Sequence, residues 1–200
     1  RRHGRRFFFF FFNQQEQPPL AAGTLLEGYR IERKLSQGGF SVVYLARDAV
    51  GKPVAIKEYL PAGMALRGAD AATIEARGEH QAVFNTGMKC FFDEGRLLAG
   101  IDHPNVVRVS NFFRANGTAY LVMRYEEGET LKDHARRLLE RGEAIPEDFL
   151  REVFVRLLAG GVDDVDGNAR HVGDHDGAVG GFAFDLGRTR ISVALGAVVA

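Results

Sequence analysis

A lysine closing an alternating apolar run, placed behind a turn of small residues, constrains this chain more than any other feature. Tyr29-Arg30-Ile31-Glu32-Arg33-Lys34-Leu35 and Val42-Val43-Tyr44-Leu45-Ala46 flank the turn Ser36-Gln37-Gly38-Gly39-Phe40-Ser41, and Val54-Ala55-Ile56-Lys57 follows. Strands alternate their side chains, so Ala55 and Lys57 share a face: the small alanine leaves room for a flat ring, and the lysine can reach phosphate oxygens. Taken alone, Gly38-Gly39 between two alternating runs is the ordinary signature of a hairpin, and a lone strand lysine is ordinarily a solvated one. The joint spacing, together with what lies downstream, carries the inference.

Downstream, Phe91-Phe92-Asp93-Glu94-Gly95-Arg96-Leu97-Leu98 precedes Asp102-His103-Pro104-Asn105-Val106-Val107. Leu97, Leu98 and Ile101 are expected to seat a helix there through an apolar stripe. The stretch between Lys57 and Glu94 is rich in Ala and Gly and is expected to form a surface loop before that helix. Asn116-Gly117 is a strong hairpin signal, and Thr118 to Gly128 continues from it as a strand. Leu131 to Arg141 and Pro146 to Leu158 carry apolar residues at helical spacing, with Pro146 suited to a first helical turn.

In this order the segments resemble the protein kinase family, specifically its bacterial serine/threonine type, from about Tyr29 to about Gly160. The resemblance implies an α+β fold: an antiparallel five-stranded N-lobe with one helix, the C helix, over 29–128, then the opening helices of an α-rich C-lobe over 129–160. Against the family pattern G-x-G-x-x-G-x-V, Gly38 matches the second glycine, while Ser36 and Ser41 stand at the first and third. The middle glycine is where backbone and phosphate come closest, so its retention matters most. By resemblance, Leu35, Ser36, Gln37, Gly38, Gly39, Phe40 and Ser41 cover the phosphates, Val43 and Ala55 enclose the adenine, and Met123 lies at the back of its pocket. Backbone groups of Arg124 and Glu126 meet the adenine edge. Lys57 and Glu94 form the ion pair that holds the lysine on the phosphates when the helix swings in. Read without the resemblance, Glu94 sits on a solvated helix face, as most glutamates do. ATP and Mg2+ are the implied cofactors, and the implied reaction moves the γ phosphate of ATP to a Ser or Thr hydroxyl of a protein substrate.

The resemblance stops after Leu158. A His-Arg-Asp-type loop with its downstream Lys and Asn is absent from the sequence, and from Val153 to Ala200 there is neither Lys nor Glu. Such a composition shift is expected of a GC-rich frame translated out of register, with a frameshift near Gly160 or Gly161; a flexible glycine-rich tail over 161–200 is the alternative. Phe184-Asp185-Leu186-Gly187 mimics the metal-binding Asp-Phe-Gly motif. Only about 25 residues separate it from Gly160, too few for the missing loop and strands, so Asp185 is a metal candidate on that mimicry alone. Without the loop the chain is expected to be a truncated kinase with little or no transfer activity, or a pseudokinase-like module that binds nucleotide or a protein partner.

Residues 1–25 read as a disordered leader or as miscalled translation, since six consecutive phenylalanines after an arginine cluster fall short of a signal core. The 200 residues carry 26 basic and 26 acidic side chains, a balance that argues against nucleic acid as the main partner. With one cysteine, Cys90, no internal disulfide can form, and the six histidines show no metal spacing. No apolar stretch is long enough for a membrane span, and a cytoplasmic location is expected.

Overall fold

The computed structural model describes residues 17–162, 181–186 and 189–194. Six antiparallel strands form its main sheet: β1 (Leu25–Leu26), β2 (Tyr29–Gln37), β3 (Ser41–Arg47), β4 (Pro53–Tyr59), β7 (Val109–Ala115) and β8 (Thr118–Arg124), in the order β1-β2-β3-β4-β8-β7. Of the five long strands, β2, β3 and β4 are those the alternating runs predict, and β8 with its partner β7 is the hairpin that Asn116-Gly117 predicts; the sixth, β1, is a two-residue edge strand. Asn116 and Gly117 join β7 to β8 with φ angles of 51° and 70°, the left-handed pair that an Asn-Gly hairpin turn needs. From Thr118 to Met123 every residue of β8 is buried, so both faces of the sheet are covered at its centre.

Helix α1 (Gln81–Leu98), entered through a 3-10 turn at Gly78–His80, covers one face. Its buried residues are Phe84, Phe91 and Gly95, and the Tyr59 ring lies 5.3 Å from that of Phe84 and 5.5 Å from that of Phe91. Leu97, expected to help seat this helix, is 72% exposed. The expectation failed because it used only the last turn. Over eighteen residues, the spacing of Phe84, Phe91 and Gly95 fixes a different face.

The stretch between Lys57 and Glu94 also departs from expectation. In place of a surface loop it forms a ribbon, β5 (Ala65–Arg67) paired with β6 (Ile74–Ala76), on the opposite face of the sheet from α1. Ala65 and Ile74 join the core, and Arg67 reaches under the ribbon to Glu58, with both side chains 0% exposed. Of the stretch read as a leader, residues 17–25 pack with this lobe: Leu20 is buried in the same core, and Leu25 pairs with Arg30. The phenylalanine run lies outside the described residues.

Beyond β8 the chain makes β9 (Glu129–Thr130), α2 (Leu131–Glu140) and α3 (Glu147–Val162). Thr130 caps α2, its hydroxyl accepting from the Asp133 amide at 3.0 Å, and Pro146 stands just before α3. Within the stretch expected to be a glycine-rich tail, β10 (Gly181–Leu186) and β11 (Thr189–Ala194) pair antiparallel, and β11 runs parallel to β9. Among the described residues no helix is long and apolar enough to cross a membrane.

Candidate nucleotide site

Register decides which side chains meet. Val43 stands opposite Lys57, and Lys57 opposite Leu121; Leu45 stands opposite Ala55, and Ala55 opposite Met123. Directly opposed residues of an antiparallel sheet share a face, so Val43, Ala55, Lys57 and Met123 line one side across three strands. Ser36 pairs with Val43 at the end of β2 and brings the turn over that row. A register shift between Lys34 and Ser36 leaves Leu35 as the extra residue, and the bulge bends β2 toward the turn.

The turn is fixed at its far limb by backbone bonds. The Leu60 amide donates to the Phe40 carbonyl at 2.9 Å, and the Ala62 amide to the Gly39 carbonyl at 2.7 Å. At Gly38 and Gly39 nothing lies within 4 Å of where a Cβ would stand, which leaves room for an anion against the backbone. Phe40 is exposed, and Ser41 closes the turn by accepting from the Gly38 amide at 2.9 Å. At the other end of the row the Arg124 guanidinium pairs with the Glu126 carboxylate, and the Arg124 amide donates to the Arg108 carbonyl at 3.0 Å.

Glu94 comes to Lys57 from α1. Burial pushes the Lys57 ammonium below its ordinary pKa, and the Glu94 carboxylate pulls it back up. The approach depends on two glycines. A Cβ at Gly95 would meet Leu121 Cδ2 at 2.0 Å, and one at Gly87 would meet the Tyr59 hydroxyl at 2.2 Å. Leu121 and Tyr59 both stand on the lysine face of the sheet, so bare backbone at Gly87 and Gly95 lets the helix lie close and brings Glu94 in. Sequence reasoning passed over both glycines. Two glycines eight residues apart in an amphipathic helix would have been the signal. Asp185 lies in β10 opposite Arg190, with its side chain outside the described residues. Among the described residues no group of three or more His, Cys, Asp or Glu could hold a metal ion.

The family model described as "Protein kinase domain" matches residues 29–162. The chain belongs to the protein kinase family. Among curated relatives it is 33% identical over 117 residues to serine/threonine-protein kinase PknJ of Mycobacterium tuberculosis, covering 58% of this chain and 17% of PknJ. It is 34% identical over 116 residues to serine/threonine-protein kinase pkn2 of Myxococcus xanthus, covering 54% of this chain and 11% of pkn2. Among solved structures, the apo form of PpkA-294 aligns with a TM-score of 0.61 at 35% identity, over 67% of this chain and 47% of that one. A PknI kinase-domain structure from Mycobacterium tuberculosis aligns at TM-score 0.56 over 72% of this chain and 50% of that one; at 17% identity it speaks for the kinase fold alone. The chain thus spans about half of these solved kinase chains and under a fifth of the curated relatives.

Proposed function

We propose that residues 29–160 are the nucleotide-holding part of a cytoplasmic serine/threonine protein kinase. In the whole protein, ATP with Mg2+ supplies the phosphoryl group, and a protein Ser or Thr hydroxyl receives it. The observation that carries this reading is the row Val43, Ala55, Lys57 and Met123 beneath an open glycine turn, with the Glu94 charge acting on Lys57. An ammonium pushed down by burial gains most from a polyanion that restores its counter-charge, and Lys57 takes that part. Glu94 braces Lys57, the backbone of 36–41 covers the phosphates, and the backbone at Arg124 and Glu126 meets the adenine edge.

A second reading rests on the missing His-Arg-Asp loop: the chain as written binds nucleotide, and transfer is slight. Loss of a positioned base alone costs about 10²- to 10⁴-fold. Thermal melting with ATP, ADP and no nucleotide, beside a phosphate-transfer assay on a generic Ser/Thr protein substrate, separates the possibilities. Stabilisation by nucleotide that vanishes in Lys57→Met supports the site; transfer above background sinks the second reading. A melting curve unmoved by both nucleotides sinks the site itself.

A further inference from the structure

On the sheet face away from Lys57, one guanidinium and the carboxylate it pairs with hold five parts of the lobe together. Arg67 Nη2 donates to Glu58 Oε2 at 2.6 Å and to the Tyr44 hydroxyl at 3.3 Å. Its Nη1 donates to Glu58 Oε1 at 3.2 Å and to the Ala72 carbonyl at 3.0 Å, and its Nε to the Pro18 carbonyl at 2.7 Å. All five N–H groups of the guanidinium are therefore used. Tyr44 donates to Glu58 Oε2 at 2.6 Å, and Tyr120 to Glu58 Oε1 at 2.8 Å. The group ties β3, β4, β8, the β5–β6 ribbon and the segment 17–20 into one buried cluster.

That segment reaches the phosphate-covering turn as well. Gln37, inside the turn, donates its side-chain amide to the Gln17 carbonyl at 3.2 Å and accepts from Lys34 Nζ at 3.1 Å through its other amide atom. Gln17 Oε1 accepts from the Arg67 amide at 3.2 Å, and the Leu20 amide donates to the Tyr44 hydroxyl at 3.1 Å. Pro18 and Pro19 lie between these contacts, with φ fixed by their rings, so the segment is stiff where it crosses the sheet. The far limb of the turn is fastened by the Leu60 and Ala62 amides; Gln37 fastens the near limb to Gln17.

We infer that residues 17–20 are a strap that restrains the phosphate-covering turn from outside, with Gln37 as its link to the turn and Arg67 as the positioning residue that anchors the strap. The strap lies on the opposite side of the sheet from the lysine row, so it sets how far the turn can lift without touching a nucleotide.

Hydrogen exchange by mass spectrometry on the full chain, without nucleotide, tests this whether or not the nucleotide reading holds. Gln37→Met removes the link and leaves the buried cluster intact. Amides of 36–41 are expected to exchange about fivefold faster, the effect of one lost hydrogen bond, with β4 unchanged. Leu20→Asp unseats the strap and is expected to speed the same amides, and adding it to Gln37→Met should bring little further increase in the turn because both cut one link. Unchanged exchange over 36–41 in Gln37→Met overturns the inference. Turn exchange in the double variant equal to the product of the two single effects overturns it too, because the substitutions would then act independently.

Discussion

Lys57 and Glu58 are neighbours in sequence, yet they live under opposite regimes. The period of two in β4 sends Lys57 to the helix face and Glu58 to the ribbon face. On the ribbon face the carboxylate is fully buried and takes hydrogen bonds from Arg67, Tyr44 and Tyr120, and no buried side-chain polar atom among the described residues lacks a partner. On the helix face the ammonium is held below its ordinary pKa, and the Glu94 charge offsets only part of that burial effect. A buried charge held by many hydrogen bonds stabilises one arrangement; a charge whose burial still lowers its pKa gains from any further negative charge brought beside it. The contrast places a fully bonded ion pair on one face of the sheet and a lysine with a lowered pKa on the other.

The largest effect that could break this contrast belongs to the ribbon face. Arg67→Ala leaves Glu58 buried without its counter-charge and is expected to cost about 3–5 kcal/mol, read as a fall in the urea midpoint. Arg67→Ala melting like the natural chain would remove the structural role. Alkaline unfolding comes next. Burial beside Glu58 raises the hydroxyl pKa of Tyr44 and Tyr120, and burial raises that of Tyr59 to about 12. A raised folded pKa means these groups favour the folded state fully below pH 10.0, the ordinary tyrosine value, and lose that contribution as pH climbs through the folded values. Tyrosine absorbance followed against pH should therefore show these three ionising together with loss of circular dichroism; early, independent ionisation would contradict the burial.

On the helix face the effects are smaller and carry more about function. Gly95→Ala gains helix propensity of about 1 kcal/mol but drives a methyl into Leu121, for a net loss of about 1–2 kcal/mol. It should also draw Glu94 away and lower the Lys57 pKa further, measurable by NMR titration of the ammonium; Leu121→Ala in the same chain should restore both. Lys57→Met removes a charge that folding disfavours at neutral pH, since a depressed lysine pKa costs stability below the folded value, so the variant is expected to melt no lower than the natural chain while losing the shift with ATP. The smallest effect is a control: Glu147 and Arg151 on α3 pair at 2.9 Å in the open, and Arg151→Ala should change stability by less than about 0.5 kcal/mol.

Much of the site could be read in the chain because it is written in local patterns. Alternation placed Ala55 and Lys57 on one side, and Asn116-Gly117 announced the hairpin that puts Met123 beside them. The α1 face was misread at Leu97 because three residues at and just beyond a helix end cannot fix the azimuth of eighteen. The stretch between Lys57 and Glu94 was misread as a surface loop because its Ala and Gly content says nothing of Arg67, whose burial depends on a partner nine residues earlier on β4 and on two tyrosines from other strands.

By itself, then, the sequence determined the strands, the turn of small residues, the lysine and its face, since these follow from periods of two and from the φ preferences of Asn and Gly. Tertiary structure alone decided how deeply each charge is desolvated and which groups answer it. Desolvation depends on what covers a side chain, and the covers of Lys57 and Glu58 are α1 on one side and the β5–β6 ribbon with residues 17–20 on the other.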